Sequence, residues 1–268
     1  MLIKSNNIDE IYRVCYKYLT NSCCIRNKAF DLNEVMFELT DVSNNIVNVR
    51  NISVPYLCGE MLWYMLGRKD IEFIHKFSTV WSRISDDGVN CNSAYGDIIF
   101  NRHGFNQLEK IIELLKTDKD TRRAVINLNV PNKNVIETKD EICTISLTFY
   151  IRNNKLYCST CMRSNDFYTG LPYDVAFFTE LQKLIANELN IECGSYFHHA
   201  ISLHLYLRNI KDLVNCVNKP INQIIHFDLI KLNEHKYLLE ECLKDLENPR
   251  DVIEMMCRNL DIVNYEEV

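Results

Sequence analysis

Apolar side chains recur at helical spacing over Ile8 to Leu19, where Ile11, Val14, Cys15 and Leu19 fall on one face. Residues 21–50 keep no steady period and read as irregular strands and loops. Pro55 to Gly67 predicts a helix that is apolar nearly all round, through Tyr56, Leu57, Met61, Trp63, Tyr64 and Leu66. One carboxylate, Glu60, sits inside that surface. After a break at Gly67 the helical pattern resumes from Asp70 to Trp81. Residues 86–104 are loop-like, and Phe105 to Lys116 is an amphipathic helix with Leu108, Ile111, Ile112 and Leu115 on its apolar stripe.

The period then changes to two. Arg123 to Val130 reads as a strand. Cys143 to Arg152 alternates, with Cys143, Ile145, Leu147, Phe149 and Ile151 on one side and Thr144, Ser146, Thr148 and Tyr150 on the other. Asn153-Asn154 predicts a tight hairpin turn, and Lys155 to Met162 returns as the partner strand. Pro172 opens a helix running to about Leu189, since proline suits the first helical turn. Gly194 to Tyr206 is a long strand, and helices follow at about 209–218 and 234–247. Strands and helices do not alternate regularly. The pattern therefore predicts an α+β fold with a mixed or antiparallel sheet in a single domain, 1–268.

Composition narrows this. With 47% hydrophobic and 25% charged residues the chain has the balance of a folded globular protein. Only 7 Gly and 5 Pro among 268 residues exclude collagen-like and Pro/Gly-rich disordered classes. The 30 Lys and Arg against 36 Asp and Glu give a charge of −6, which argues against nucleic acid as a partner but allows a local basic pocket for one phosphate. No apolar run reaches the ~18 residues of a membrane span, and the first residues carry no apolar signal core. The 12 cysteines are scattered, many in apolar stretches such as Cys15, Cys58 and Cys216. They read as reduced thiols of a cytoplasmic protein.

Few of those thiols suit chemistry. Cys158 and Cys161 form a CxxC, but on an alternating strand their side chains project to opposite faces, and no second CxxC completes a zinc site. No metal is expected. Cys143 opens its strand directly after Lys139-Asp140-Glu141, where a thiol is both held and exposed. A nucleophilic cysteine needs cations beside it, and Arg122, Arg123 and Arg163 are the candidates. Arg163-Ser164-Asn165-Asp166 leads into Gly170-Leu171-Pro172 at a helix start, which suits either an anion seat or a capped turn closed by Asp166. Ser202, His204 and Tyr206 share one face of their strand.

Taken together, CxxxLxFYIRxxKL from Cys143, RSNDxxxGLPYDVA from Arg163 and SLHLY from Ser202 resemble the thymidylate synthase superfamily. GEMLWYMLG, TVWSR, SAYG and DTRRAVI agree in order, so the likeness runs from about Arg26 to Tyr206. It implies a thymidylate synthase-like fold, with a mixed sheet packed by helices and a homodimer formed through the sheet. The implied reaction moves a one-carbon unit from 5,10-methylenetetrahydrofolate to C5 of a pyrimidine nucleoside monophosphate. By resemblance, Cys143 is the nucleophile that adds to C6, Glu60 the buried acid/base group, and Tyr95 the tyrosine beside C5. Arg163 and Ser164 match phosphate ligands, while Arg122 and Arg123 match an arginine pair lent by the partner subunit. Arg26 stands where a further phosphate arginine is expected. His204 and Tyr206 match the pair on the sugar hydroxyl, and Asp166 and Trp81 match folate-site residues.

The departures point away from thymidylate synthesis. Synthases carry asparagine where this chain has Asp174. An amide accepts from uracil N3–H and donates to O4, whereas cytosine presents the reversed edge, which a carboxyl group matches. Thr144 follows the candidate nucleophile where synthases usually have histidine. The last residues, Asn264 to Val268, lack the apolar tail that seals synthase sites against water. Together these lead to the expectation of a cytidylate (CMP or dCMP) 5-hydroxymethyltransferase. A divergent thymidylate synthase acting on dUMP is the alternative.

Overall fold

Two helices in this chain are buried on nearly every side, and such helices fold only where other elements surround them. One is α2, the other α7, and the remaining elements wrap around them. The computed structural model describes residues 2–22, 24–129, 131 and 135–268. In chain order the elements are β1 (Leu2–Ser5), α1 (Ile8–Asn21), β2 (Ile25–Arg26), β3 (Ala29–Leu39), α2 (Val54–Met65), α3 (Ile71–His75), α4 (Val80–Ile84), α5 (Tyr95–Phe100) and α6 (Gln107–Thr117). There follow β4 (Val125–Asn127), β5 (Thr144–Arg152), β6 (Lys155–Met162), β7 (Asn165–Asp166), α7 (Leu171–Glu188) and β8 (Glu192–Tyr206). A 3₁₀ turn at Leu207–Asn209 leads to α8 (Ile210–Val217), β9 (Gln223–Phe227), α9 (Leu229–Leu243), α10 (Arg250–Asn259) and β10 (Val263–Glu267).

The large sheet runs β1-β3-β8-β6-β5-β4, with β2 added to β3 and β7 to β8. β1 pairs parallel to β3, and β6 and β7 parallel to β8; the other pairings in this sheet are antiparallel. The fold is thus α+β with a mixed sheet, as the sequence pattern predicts. The β5–β6 turn sits at Asn153-Asn154, both at positive φ, which asparagine tolerates. Along β6, Cys158 is buried and Cys161 half-buried, on opposite faces. Among the described residues no group of His, Cys, Asp and Glu is arranged to hold a metal.

Several boundaries differ from the pattern. The irregular stretch 21–50 contains an 11-residue strand, β3, whose period is interrupted at Glu34 (φ 55°). The helix expected over Asp70–Trp81 is two short ones, because Asp70 caps α3 through its side chain and the turn after His75 restarts the chain. Loop 86–104 contains α5. The strand expected over Arg123–Val130 is three residues long, and Val130 itself lies outside the described residues. The sequence pattern assigns no element at β9, β10 or α10, although Ile253 and Cys257 of α10 fall on one face; β10 pairs antiparallel with β9.

Candidate active site

The two buried helices each place one carboxylate inward. Ser53 caps α2 by accepting from the Tyr56 amide (3.3 Å), and two turns on Glu60 is 5% exposed. Tyr56 donates its hydroxyl to Glu60 Oε1, and Tyr64 does so at 3.2 Å. Trp81 Nε1 donates to the Tyr56 hydroxyl at 3.2 Å. Burial pushes the Glu60 carboxyl up to about 8, with the two phenols opposing and the charge of Asp174 adding to the rise. Glu60 therefore holds a proton at neutral pH.

Asp174 stands in the first turn of α7. Its Oδ2 accepts from Asn165 Nδ2 at 2.8 Å and its Oδ1 from the Tyr95 hydroxyl at 3.0 Å. Burial raises this carboxyl to about 7, against those two hydrogen bonds. Thr144 completes the group, with its Oγ1 2.7 Å from the Tyr95 hydroxyl. Either hydroxyl of the Tyr95–Thr144 pair can be the donor, so Tyr95 can turn its proton to Asp174 or to Thr144. The contact depends on a bulge: β5 shifts register between Thr144 and Ser146. The plain alternation expected from Cys143 to Ile151 is therefore broken. Thr144 joins the buried face with Leu147, Phe149 and Ile151, and Ile145 turns half outward.

Cys143 lies just before that bulge, half-buried. Its Sγ is 3.8 Å from Arg163 Nη2, and the same guanidinium donates to the carbonyls of Ile142 and Glu141, each at 2.8 Å. Arg163 thus holds the loop that carries the thiol and faces it with positive charge. Burial nonetheless pushes the thiol up to about 11, since Arg163 only partly opposes it. Asp140 clips this loop to the start of α5, accepting from the Ser93 amide (3.1 Å) and hydroxyl (2.5 Å). That clip sets Tyr95 close to Cys143.

Of the other sequence candidates, Ser164 Oγ lies 3.4 Å from His204 Nδ1, and His204 and Tyr206 meet edge to face at 5.1 Å. Asp166 closes a turn, accepting from the amides of Tyr168 (2.8 Å) and Thr169 (3.0 Å) and from the Thr169 hydroxyl (2.6 Å). Trp81 is buried against Trp63, with ring centres 5.3 Å apart. Arg26, Arg122 and Arg123 are exposed, and Arg123 makes only a loose ion pair with Asp118 at 3.9 Å. None of these three is joined to the Cys143 cluster within one chain.

Sequence reasoning missed the groups that orient the carboxylates. Tyr56 and Tyr64 read as core positions, although their i−4 and i+4 spacing from Glu60 was visible. Asn165 was seen only as part of a turn. Arg50 was missed entirely. It is 8% exposed, its guanidinium lies over the Tyr168 ring at 4.2 Å, and Nε and Nη1 have no hydrogen-bond partner among the described residues.

This constellation lies on a chain that matches a known family along most of its length. The family model described as Thymidylate synthase matches residues 19–267, and the protein belongs to that family. Among curated relatives, a deoxyuridylate hydroxymethyltransferase of Bacillus phage SP01 is 36% identical over 171 residues, covering 59% of this chain and 45% of the phage protein. A thymidylate synthase of Francisella philomiragia is 25% identical over 183 residues, covering 63% of this chain and 67% of its own. One from Francisella tularensis subsp. holarctica is 26% identical over the same length. The chain thus spans under half the length of the phage relative and about two thirds of the others.

Proposed function

We propose that the protein is a folate-dependent cytidylate 5-hydroxymethyltransferase. The observation that carries this is Asp174, whose two carboxyl oxygens are each held by a protein hydrogen bond, from Asn165 and with Tyr95, at the point where the family's synthases place an amide. A carboxyl held in this way presents acceptor character to the N4 amino group of cytosine, and its one proton serves N3. The phage relative's name supports hydroxymethyl rather than methyl transfer.

In this reading the Cys143 thiol adds to C6 of the base, and Arg163 supports the thiolate as it forms. Glu60, protonated at neutral pH and oriented by Tyr56 and Tyr64, exchanges a proton through water near the O4 or N4 edge of the ring. Tyr95 borders C5. Methylenetetrahydrofolate supplies the one-carbon unit as co-substrate. Arg50 fits its anionic end, since a buried guanidinium with two unpartnered nitrogens, Nε and Nη1, lacks an acceptor; Trp81 and Asp166 border the same region. Once the C5 proton has left and tetrahydrofolate has been eliminated, water adds at the exocyclic C5 methylene, and Cys143 departs. Arg163, Ser164 and Arg26 are read as phosphate ligands, and His204 and Tyr206 as holding the sugar hydroxyl. The partner subunit of a homodimer supplies Arg122 and Arg123. No helix among the described residues is long and apolar enough to cross a membrane, and the described cysteines are free, which suits a reducing cytoplasm.

One observation favours a second reading, with a uridylate as substrate: the phage relative is named for deoxyuridylate, and a protonated Asp174 can donate to O4 and accept from N3–H as an amide does. The substitution Asp174→Asn separates the two. Comparing kcat/KM for CMP, dCMP, UMP and dUMP, cytidylate efficiency should fall by about 10²-fold while uridylate turnover rises. An unchanged ratio of cytosine to uracil efficiencies would sink the base-reading role.

A further inference from the structure

Behind Asp174 runs a chain of buried polar groups that the reaction itself does not use. Asn165 is 1% exposed on β7. Its Nδ2 donates to Asp174 Oδ2 at 2.8 Å, and its Oδ1 lies 3.1 Å from His198 Nε2. His198 is 1% exposed on β8, and its Nδ1 lies 2.8 Å from the hydroxyl of Tyr196, which is fully buried. The imidazole is stacked flat on Phe37, with centroids 4.7 Å apart and an interplanar angle of 4°. Two strands and an aromatic plate therefore fix every member.

The chain has a direction. Burial holds His198 well below its ordinary value, at about 3, so the ring is neutral and has one N–H. Tyr196 can donate to Nδ1, which leaves the proton on Nε2 to donate to Asn165 Oδ1. That locks the Asn165 amide with its NH2 toward Asp174. Reversing the amide would set its oxygen against Asp174 Oδ2 and its NH2 against an Nε2–H donor, leaving a buried mismatch.

We propose that Tyr196, His198 and Asn165 act as a positioning chain that holds Oδ2 of Asp174 as the acceptor oxygen and so selects the base. A carboxylic acid has one donor oxygen and one acceptor oxygen. With its proton on one oxygen it matches the N3/N4 edge of cytosine, and with the proton on the other it matches the N3/O4 edge of uracil. The locked amide N–H aimed at Oδ2 cannot become an acceptor and so disfavours a hydroxyl there, whereas the Tyr95 hydroxyl can turn to donate to Thr144 Oγ1 and accept from Oδ1, so the proton is placed on Oδ1. The amide in effect tells the pocket which of two isomeric edges to present. None of the three residues needs to touch the substrate.

The inference rests on the reading of Asp174 as the group that meets the base, and the experiment keeps the two apart. The readout is the ratio of kcat/KM for cytidylate to that for uridylate, paired with the ratio of dissociation constants for the two nucleotides. Both ratios are insensitive to the fraction of folded protein. His198→Phe keeps the stack on Phe37 and deletes both nitrogens. Asn165→Ala removes the donor but leaves the Tyr196–His198–Phe37 packing, and it carries the test if His198→Phe does not fold. His198→Gln restores an N–H toward Asn165. The expected result is a fall in the cytosine preference of about tenfold or more in the first two variants and within about threefold of wild type in the third. Parallel losses for both bases, with the ratio unchanged, would overturn the proposal. If Asp174→Asn shifts the ratio while these variants do not, the chain fails and the base reading stands. If Asp174→Asn does not shift it either, the base reading itself has failed.

Discussion

Glu60 and Cys143 are both held away from their charged forms, and for the same reason: each is surrounded by protein before substrate arrives. For Glu60 this has a consequence for stability. Its ordinary value is 4.5 and its folded value about 8, so the folded chain binds that proton more tightly than the unfolded chain does. The contribution is complete below about pH 4.5 and is lost as pH rises to about 8, at no more than ~1.4 kcal/mol per pH unit for one group. We expect the urea midpoint of the wild type to drop between about pH 5 and pH 8, and Glu60→Gln to drop less; equal slopes would contradict the buried-acid account. For Cys143, a thiol raised to about 11 is a poor nucleophile in the free chain, and only Arg163 opposes the shift. Cys143→Ala should abolish release of tritium from C5 of the nucleotide while leaving nucleotide binding within a few-fold. Retained release would remove Cys143 from the chemistry.

Elements bring these residues together through close backbone contacts. Gly96, the second residue of α5, lies so near α2 that a Cβ there would fall 2.2 Å from the Tyr64 carbonyl oxygen and 2.6 Å from its Cα. That approach seats Tyr95 beside Tyr64, with rings 5.2 Å apart, and within reach of Asp174. Backbone cannot yield as a side chain can, so Gly96→Ala should cost about 1–3 kcal/mol or more in urea unfolding and lower turnover as well. A neutral substitution would mean that α5 sits looser against α2 than described. Here the limits of periodicity become physical. The apolar run of α2 marked that helix and Glu60 inside it, because burial on all sides leaves a distinct composition, whereas α7 was legible from Pro172 at its start and Asp174 only from the family resemblance. α5 was hidden in a polar loop because six residues carry too little period, and its placement depends on tertiary contact. The bulge at Thr144 was hidden because one extra residue changes the face of a side chain without changing the composition. Asn165, His198 and Tyr196 were hidden for a different reason: Tyr196 and His198 share a face of β8, but Asn165 and Asp174 reach them from β7 and α7, and no period along the chain joins those three elements.

At the scale of the whole molecule, the sheet is unequally covered. Val35, Phe37, Leu147, Phe149, Cys158 and Tyr196 are buried under helices, while on the opposite face Met36 is 43% and Ile201 38% exposed, and Tyr150 and Tyr157 stack on each other. This less covered face, which mixes those side chains with polar groups such as the His199–Glu34 pair, suits the proposed homodimer, in which Arg122 and Arg123 reach the partner's phosphate site. Mixing Arg123→Ala subunits with Cys143→Ala subunits should restore one complete site per heterodimer. No recovery, in mixtures shown by mass spectrometry to exchange subunits, would exclude shared sites. The reaction is tested by product analysis after incubation of the wild-type protein with methylenetetrahydrofolate and an equal mixture of CMP, dCMP, UMP and dUMP. A cytidylate should gain CH2O, with tetrahydrofolate as the coproduct. A uridylate gaining CH2, with dihydrofolate appearing in step, would exclude cytidylate hydroxymethylation.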